Sequence, residues 1–335
     1  MQYNWRQPLA RDCVGACTNC NARLHFMILV CAPNPAIDKT LLLAGWAPGG
    51  VWRATQVLLQ AGGKGYNFAR ALGVLGQPAL VVGPLGGRDG HRLCGLAAAH
   101  GIAHAPYWVA GETRTCTIIV DTAAGTDTVL NEPGAAQQPG EWERLLAALQ
   151  QQLPHARFLA VCGSCRPADP VDGLQQVVQL AQRHNVPVLL DTHGAQLAAA
   201  VAAGPALLKI NQNEAAALLG RALRGIEDVR QALPDLRARG AQQVVVTLGA
   251  AGALAIDGAG KTYFCSAPQV AALCAVGSGD SFFAGLAAAL CAGAPLPAAL
   301  RHGVAAGAAN TLQLGAGSFS AERAQQLLAA LPEPA

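Results

Sequence analysis

Short segments rich in Val, Ile and Leu alternate with longer Ala/Leu-rich segments from Met27 onward. The short segments have the length of buried strands and the longer ones have helical length, which is typical of a mostly parallel sheet covered by helices on both faces. The sequence therefore predicts a doubly wound α/β fold. The predicted core strands are Met27–Ala32, Ala79–Gly83, Phe158–Cys162, Pro187–Asp191, Ala206–Ile210 and Gln243–Thr247. The predicted helices are Lys64–Leu75, Arg92–His100, Gly140–Gln152, Val171–His184, Asn213–Leu219, Asp280–Cys291, Leu300–Leu312 and Ala321–Leu331.

Two regions interrupt this alternation, near residues 38–60 and 105–130. In the second region, Cys116–Val120 and Thr126–Leu130 have the composition of hairpin strands. We expect the two regions to form a small β-sheet lid over the carboxyl edge of the main sheet, where ligands bind in doubly wound folds. Residues 27–335 then form one domain, preceded by an N-terminal extension of residues 1–26.

The composition argues against two classes of partner. With 13% charged residues and a net charge of +3 spread without basic blocks, the chain lacks the electrostatic footprint of a nucleic-acid-binding protein. No apolar run reaches the roughly 18 residues that span a bilayer. We therefore expect a soluble protein that binds neither nucleic acid nor membrane.

The 11 cysteines indicate a reducing compartment, because their number is odd, they are scattered, and no cleavable secretory signal precedes them. The cytoplasm fits this pattern. Cys13, Cys17 and Cys20 form one cluster, whose C-x3-C-x2-C spacing suits an iron–sulfur cluster, or zinc with His25. Residues 1–26 are otherwise polar and irregular, so we favour an extension or a misassigned start with no essential role.

The run Gly277-Ser278-Gly279-Asp280 places a flexible turn and one carboxylate directly before an apolar helical segment. Backbone N–H groups of such a turn, together with the positive end of the helix dipole, can hold a phosphate or the charge that develops during its transfer. Asp280 would lie beside it as a base for an alcohol. Taken alone, the same residues also describe an ordinary loop with an Asp N-cap.

A second glycine-rich turn opens a helix at Gly62-Gly63-Lys64-Gly65-Tyr66-Asn67, without the spacing of a P-loop. Its glycines let the backbone approach a ligand closely, while Lys64 and Asn67 offer donors from the first helical turn. Upstream, the segment Asn34–Asp38 is predicted to end the first strand with a carboxylate. Asp38 can accept hydrogen bonds from two adjacent sugar hydroxyls, or it can cap a turn.

Polar residues follow other strands as well. Glu214 can hold magnesium through water beside Asn211, although a helix cap formed by Asn213 with Glu214 is the alternative. Arg114 can clamp a phosphate with two hydrogen bonds, or it can lie on the solvated surface. Further backbone at the same edge comes from Gly163, Ser164, Thr247, Gly249 and Gly252. Because parallel strands end at one edge, a single cleft can collect all of these groups.

Two of these segments resemble the signatures of the ribokinase-like sugar kinases, also called the PfkB family. Gly62–Ala69 is similar to G-G-K-G-x-N-x-A, and Val276–Asp280 is similar to V-G-A-G-D with Ser278 in place of alanine. The resemblance extends from about Met27 to Leu331. Four more segments are similar to the branch that contains 1-phosphofructokinase, tagatose-6-phosphate kinase and the minor 6-phosphofructokinase: Asn34–Asp38, Gly49–Arg53, Gly111–Arg114 and Asn131–Gly134.

The resemblance implies a role for each matching residue. The catalytic base would be Asp280, beside an anion hole formed by Gly277, Ser278 and Gly279. The sugar hydroxyls would be held by Asp38, Gly63 and Asn67, and the sugar phosphate by Lys64 and Arg114. Mg-ATP would be organised by Asn211 and Glu214, in a nucleotide site lined by Thr247, Gly249 and Gly252. A potassium ion, which some members bind, would lie near Asn310–Ser318.

The sequence departs from the family pattern near the expected substrate. K-P-N-x-x-E becomes Lys209–Glu214, which lacks the proline, and G-S-L-P-P-G becomes Gly163–Ala168, which introduces Arg166. Trp52 stands where the branch often has asparagine, and His193 stands where a small hydroxyl residue is common. These differences concern the identity of the substrate rather than the reaction.

We therefore expect an ATP-dependent kinase of a phosphorylated ketohexose, with fructose 1-phosphate ahead of tagatose 6-phosphate and fructose 6-phosphate. Two other functions are compatible with the sequence. One is a kinase of a nonphosphorylated sugar or nucleoside, and the other is a catalytically silent sugar-phosphate-binding protein on the same fold. Apolar strands exposed on the lid would also permit a homodimer.

Overall fold

The computed structural model describes residues 27–334, and its centre is a nine-stranded sheet. The strands are β1 (Met27–Cys31), β2 (Ala36–Leu43), β3 (Gln56–Gly62), β4 (Ala79–Val82), β5 (Pro84–Gly86), β6 (Ala103–His104), β7 (Tyr107–Val109), β8 (Arg114–Asp121), β9 (Thr126–Asn131), β10 (Ala156–Cys162), β11 (Val188–Asp191), β12 (Leu207–Asn211), β13 (Gln243–Thr247), β14 (Ala253–Ile256) and β15 (Thr262–Cys265). The α-helices are α1 (Lys64–Val74), α2 (Gly87–Ala99), α3 (Glu141–Gln152), α4 (Gly173–Arg183), α5 (Leu197–Ala202), α6 (Gln212–Leu219), α7 (Gly225–Ala238), α8 (Ser278–Cys291), α9 (Leu296–Asn310) and α10 (Ala321–Ala330).

The strand order of the main sheet is β15-β14-β13-β12-β11-β10-β1-β4-β6. All neighbouring pairs from β6 to β13 are parallel, and only β14 and β15 join in antiparallel fashion. The carboxyl ends of the parallel strands therefore meet at one edge, which is where doubly wound folds bind their ligands.

The two faces of the sheet have separate hydrophobic cores because side chains alternate along each strand. In β1, Ile28 and Val30 belong to the core that contains α1, α8 and α9, whereas Leu29 and Cys31 belong to the core that contains α3, α4 and α7. All five residues of β1 are buried. This burial on both faces explains why the strand is apolar throughout instead of alternating with polar residues.

The predicted doubly wound fold is confirmed, and the predicted core strands are β1, β4, β10, β11, β12 and β13. The predicted helices are also present, although α2 begins at Gly87 instead of Arg92. Helices α5 and α7 and the edge hairpin of β14 and β15 were not predicted. Pro234 lies inside α7, and a proline in a helix interior usually ends or kinks the helix, so the pattern did not predict one there.

A separate four-stranded sheet has the order β3-β2-β8-β9. The interruption near residues 38–60 contributes β2 and β3, and the later interruption contributes β8 and β9. The part of the small sheet that comes from the later interruption starts at Arg114, because β7 pairs with β5 outside this sheet and β6 extends the main sheet. Residues 105–113 therefore connect the two sheets.

Two further sequence predictions concern membrane-spanning segments and the cysteines. Within the described residues, no helix combines the length and apolar character needed to cross a membrane. The eight cysteines of the same part of the chain form no disulfide bond. The cluster of Cys13, Cys17 and Cys20 lies outside the described residues.

The loop after β10 contains a backbone conformation that suits glycine better than the residue present. Ala168 has a φ of 66°, which lies in the left-handed region and costs a residue with a Cβ roughly 1 kcal/mol. We expect Ala168→Gly to raise the free energy of unfolding by roughly 0.5 kcal/mol, because relief of this strain exceeds the added flexibility of the unfolded chain. Chemical denaturation measures the change. Ala292→Gly is the control, since Ala292 has a φ of −76° and should lose stability; equal effects at both positions would contradict the assignment of strain.

Candidate active site

A cleft of about 520 Å³ lies between the carboxyl edge of the main sheet and the small sheet. The loops after β10 and β11 form one side of it, and β8 and β9 form the other. The sequence-predicted residues that line the cleft are Asp38, Gly63, Lys64, Asn67, Arg114, Ser164 and Asp280. Residues from distant parts of the chain therefore meet in one place, as the strand–helix order predicts.

The N-terminus of α8 is a candidate anion site. Gly277 caps the helix with a φ of 80°, and a Cβ at this position would come within 2.2 Å of Ala316, so only glycine fits. The amide of Ser278 donates to the Ala275 carbonyl at 3.1 Å and is unavailable to a ligand. The amides of Gly277, Gly279 and Asp280 make no hydrogen bond within residues 27–334. Of the three predicted amides, those of Gly277 and Gly279 are therefore free, and the amide of Asp280 is free in place of that of Ser278.

Asp280 is a buried carboxylate in the first turn of α8, with 9% of its surface exposed. Its Oδ2 accepts a hydrogen bond from Asn67 Nδ2 at 3.0 Å, while its Oδ1 has no partner within the described residues. Burial raises the pKa of Asp280 to about 6, although Lys64 acts in the opposite direction. The carboxylate is therefore ionised at neutral pH and is a stronger base than an exposed aspartate.

Asp38 lies inside β2, not at the end of the first strand. Its Oδ1 accepts from the amide of Gly63 at 3.3 Å, and its Oδ2 accepts from Asn67 Nδ2 at 3.2 Å. A Cβ on Gly62 would lie 2.1 Å from the carboxylate carbon of Asp38, which explains the glycine there. One Asn67 amide thus bridges the two carboxylates, and burial raises the pKa of Asp38 as well.

Lys64 points across the cleft toward strand β11. Its Nζ lies 2.7 Å from Asp191 Oδ1 and 3.8 Å from Glu214 Oε1, and the second oxygen of Asp191 lies 2.7 Å from Lys209 Nζ. Sequence reasoning missed both Asp191 and Lys209. The available signals were the position of Asp191 at the end of a predicted strand and the presence of only four lysines in the chain.

The two ammonium groups determine the charge of Asp191. Burial acts to raise the pKa of this carboxyl, yet Lys209 and Lys64 together hold it at about 2. Burial acts in turn to lower the pKa of Lys64, but Asp191, Glu214 and Asp280 raise it above its ordinary value. The Asp191 carboxylate is therefore an anion that lies between the two cations of Lys64 and Lys209.

Asn211 begins α6 and forms a capping box with Glu214. Glu214 N donates to Asn211 Oδ1 at 2.9 Å, and Asn211 N donates to Glu214 Oε2 at 2.8 Å. The cap is therefore Asn211 and not Asn213. Asn211 Nδ2 has no partner within the described residues, and Glu214 Oε1 meets only Lys64, so these atoms remain for a ligand.

The loop after β13 adds backbone next to Asn211. Thr247 is the register partner of Asn211 across β12 and β13, and its Oγ1 lies 3.5 Å from the Ile210 carbonyl. Gly249 and Gly252 shape the turn that follows, with φ values of 59° and 110°. A Cβ on Gly252 would lie 2.1 Å from the Cys265 carbonyl oxygen, so this residue must be glycine.

The donor set around Glu214 suits magnesium better than a tightly held transition metal. Within residues 27–334, no group of three or more His, Cys, Asp and Glu side chains is arranged to hold a metal. Magnesium keeps several waters and is usually bound by one or two carboxylates together with substrate phosphates. A single available carboxylate oxygen beside a phosphate site fits this behaviour.

Arg114 is fixed by backbone carbonyls. Its Nε and Nη2 donate to Asn34 O at 3.3 and 3.0 Å, and its Nη1 donates to Glu132 O at 2.9 Å. Two of the five N–H donors of the guanidinium remain for a ligand. Arg166, expected to alter substrate selectivity, lines the cleft and is held by ion pairs with Glu141 at 2.9 Å and Asp169 at 3.5 Å.

Asn310, the last residue of α9 before the loop to α10, forms hydrogen bonds with residues on both sides of the α8 N-terminus. Asn310 Nδ2 donates to Val276 O at 3.0 Å, and its Oδ1 accepts from Ser281 Oγ at 2.9 Å and Gly317 N at 2.7 Å. These bonds join the Asn310–Ser318 region to the residues on either side of the α8 N-terminus. A ligand in this loop would therefore act on the geometry of the anion site.

The free amides at a helix N-terminus, the buried carboxylate of Asp280 beside them and the second carboxylate of Asp38 are the groups that phosphoryl transfer to an alcohol requires. Comparisons with known proteins agree. A model of the pfkB family of carbohydrate kinases matches residues 32–323. The chain therefore belongs to the PfkB family of carbohydrate kinases, enzymes that transfer phosphate from ATP to a sugar hydroxyl.

Individual relatives match over most of their length. The 1-phosphofructokinase of Rhodobacter capsulatus is 35% identical over 254 residues, which cover 76% of this chain and 80% of the relative. The ATP-dependent 6-phosphofructokinase isozyme 2 of Escherichia coli is 32% identical over 299 residues, which cover 89% of this chain and 96% of the relative. The structure of phosphofructokinase-2 from E. coli in complex with potassium matches with a TM-score of 0.82 and 31% identity, covering 91% of this chain and 98% of that chain.

The contacts of Asp191 with Lys64 and Lys209 predict how the free energy of unfolding depends on pH. Because the pKa of Asp191 is about 2 in the folded protein against an ordinary 3.8, its ionised form stabilises the fold above pH 4, and this contribution of roughly 2 kcal/mol is lost as the pH falls toward 2. Asp191→Asn should therefore be less stable at pH 5 but show a shallower loss between pH 5 and pH 3. Urea unfolding at both values measures this.

The control for that experiment is Glu143→Gln, which changes an exposed carboxylate on α3. It should keep the pH dependence of the wild type. If Asp191→Asn and the wild type lost the same free energy between the two pH values, the proposed charge state of Asp191 would be wrong.

Proposed function

We propose that this enzyme phosphorylates a ketohexose phosphate with ATP, with fructose 1-phosphate as the favoured substrate and tagatose 6-phosphate or fructose 6-phosphate next. The observation that carries the proposal is the Arg114 guanidinium, which keeps two N–H donors and lines the same cleft as Asp38 and Asp280. A phosphate held by Arg114 leaves the sugar hydroxyls free to reach the two carboxylates. Relatives named 1-phosphofructokinase and 6-phosphofructokinase support a phosphorylated sugar.

Asp280 is the proposed base. Its Oδ1 is the carboxylate oxygen without a hydrogen bond, so this atom accepts the proton of the attacking hydroxyl. Asp38 accepts hydrogen bonds from neighbouring hydroxyls and fixes which one faces Asp280. Gly63 and Ser164 also line the cleft, which supports further contacts between these two residues and the sugar. Such positioning accounts for much of the rate enhancement in phosphoryl transfer.

The negative charge of the transferred phosphoryl group is stabilised by amides of Gly277, Gly279 and Asp280 and by the Lys64 ammonium. Lys64 lies between Asp191 and Glu214, which supports a role at the transferred phosphate rather than at the remote sugar phosphate. Glu214 would hold magnesium through water, and the bound ion would neutralise charge on the ATP phosphates.

The nucleotide is proposed to bind at the carboxyl ends of β12 and β13, which are neighbouring strands. The residues proposed to contact it there are Asn211, Thr247, Gly249 and Gly252. A potassium ion is proposed near Asn310–Ser318, as a structure of the E. coli relative contains potassium. Through Asn310, such an ion would affect the carbonyl of Val276 and hence the anion site.

The small sheet is proposed to close over the bound sugar, since Ile118 and Val129 line the cleft from that side. Excluding water there strengthens the electrostatic interactions of the site. Its outer residues Val57 and Leu130 are 53% and 56% exposed, which supports a homodimer formed through this sheet. Without a partner that covers it, an exposed apolar strand surface favours aggregation between copies of the protein.

Removal of the base tests the proposed chemistry. Asp280→Asn should lower kcat by about 10²- to 10⁴-fold with nearly unchanged ATP binding, because the amide cannot accept the proton. In the wild type, kcat should fall below about pH 6, where Asp280 becomes protonated. Steady-state kinetics across pH 5 to 8 check both outcomes, and a variant that keeps most of its activity would remove Asp280 from the role of base.

Removal of the phosphate clamp tests the substrate class. Arg114→Ala should raise KM for fructose 1-phosphate by roughly 10- to 100-fold, since two charge-assisted hydrogen bonds are lost. The same variant should change the kinetics with unphosphorylated fructose little. Arg92→Ala, an exposed arginine on α2, is the control and should behave as the wild type. An unchanged KM for fructose 1-phosphate in Arg114→Ala would place the sugar phosphate elsewhere.

A further inference from the structure

Arg70 is a buried arginine behind the active site, one helical turn after Asn67. Only 4% of its surface is exposed, and no carboxylate within residues 27–334 forms an ion pair with it. Its Nη1 donates to Asn67 Oδ1 at 3.2 Å and to the Ala316 carbonyl, and its Nη2 donates to the Ala61 carbonyl. Nε is buried without a partner among the same residues.

This charge is costly to bury. Burial lowers the pKa of Arg70 to about 10, while Asp38 and Asp280 oppose the shift, so the guanidinium stays cationic at neutral pH. A buried cation bonded only to neutral oxygens recovers less of its lost hydration than one paired directly with an anion. An apolar side chain of the same length would fill this space without that penalty, which points to a function for the guanidinium.

The hydrogen bonds of the Asn67 side-chain amide, next to Arg70, indicate what the function of the guanidinium is. Both hydrogens of Asn67 Nδ2 are used, one by Asp38 Oδ2 at 3.2 Å and one by Asp280 Oδ2 at 3.0 Å. The amide oxygen Oδ1 is bound by Arg70 on the other side. Rotation of the amide by 180° would place its oxygen against two carboxylates and its NH2 group against a guanidinium.

We propose that Arg70 is a positioning residue for phosphoryl transfer: by binding Asn67 Oδ1 it keeps Nδ2 on the Oδ2 atoms of Asp38 and Asp280 and leaves Asp280 Oδ1 as the proton acceptor. The proposal rests on the function proposed above. In that step the hydroxyl proton passes to Asp280 Oδ1, the sugar oxygen forms a bond to the γ-phosphorus, and the bond from that phosphorus to the β–γ bridging oxygen of ATP breaks.

The effect is greatest once the proton has moved. Asp280 is then neutral and no longer repels an amide oxygen, so a proton on its Oδ2 would bind Asn67 Oδ1 if the amide turned. Arg70 opposes this turn because it holds Oδ1 from behind. The proton consequently stays on the side of the carboxyl that faces the substrate, and Asp38 keeps its orientation toward the sugar.

Arg70 also joins three segments of the fold, and this provides the competing explanation. Ala61 lies near the end of β3 in the small sheet, and Ala316 lies in the loop that packs on Gly277. A residue that only ties these segments together would affect activity through stability or through the anion site, and not through Asn67. The two explanations therefore differ in whether the effect of Arg70 requires the Asn67 side chain.

A double-mutant cycle with Arg70→Met and Asn67→Ala separates them, with kcat for fructose 1-phosphate as the readout. Arg70→Met should lower kcat at least tenfold in the wild type but less than about threefold in the Asn67→Ala background, because residues that act as one unit are not additive. Arg70→Lys, which keeps the charge and a donor, should recover part of kcat. Equal losses in both backgrounds would overturn the proposal.

Arg301→Met is the matched control, since Arg301 also donates to backbone carbonyls, those of Leu328 and Leu331, and does not line the cleft. This substitution should leave kcat unchanged both in the wild type and in the Asn67→Ala variant. If Arg70→Met fails to fold, Arg70→Lys replaces it in the same cycle. A wild type without activity on any ketohexose phosphate contradicts the proposed function, whereas an active wild type with an additive cycle contradicts only the role of Arg70.

Discussion

Two carboxylates are buried at the carboxyl edge of one parallel sheet, and the site depends on how differently their charges are compensated. Burial opposes the ionised form of both. Asp191 lies between two ammonium groups at 2.7 Å, which hold its pKa at about 2. Asp280 receives one amide hydrogen bond, and its pKa rises to about 6. The first is thus a permanent anion that orders lysines, while the second can exchange a proton near neutral pH.

The backbone makes this arrangement possible. Gly62 allows the Asp38 carboxylate to approach the turn before α1, and Gly277 allows the loop near Ala316 to press against the start of α8. A side chain at either glycine would move a carboxylate away from Asn67. The glycine-rich segments therefore serve two purposes: they expose amides to an anion, and they bring the acids within hydrogen-bonding distance of one amide.

Much of this was predictable from sequence because it follows from local order. Strand–helix alternation predicts the ends of β1, β10, β11, β12 and β13 at one edge. The glycine-rich turns indicate Asp280 and Asn67, and the segment after the first strand indicates Asp38. Interactions that depend on long-range register were not predictable. The pairing of Asp191 with Lys209 requires β11 and β12 to be neighbours, and the pairing of Arg166 with Glu141 joins residues 25 positions apart. The hydrogen bond from Ser278 N to Ala275, which removes one amide from the anion site, depends on the details of a tight turn.

The most direct test of the central claim is the rate of ADP release from ATP by the purified enzyme. It should be measured with fructose 1-phosphate, tagatose 6-phosphate and fructose 6-phosphate, and with unphosphorylated fructose, tagatose and a nucleoside. The highest kcat/KM is expected with a ketohexose phosphate. A higher kcat/KM with an unphosphorylated sugar or nucleoside, or no ADP release with any acceptor, would contradict it.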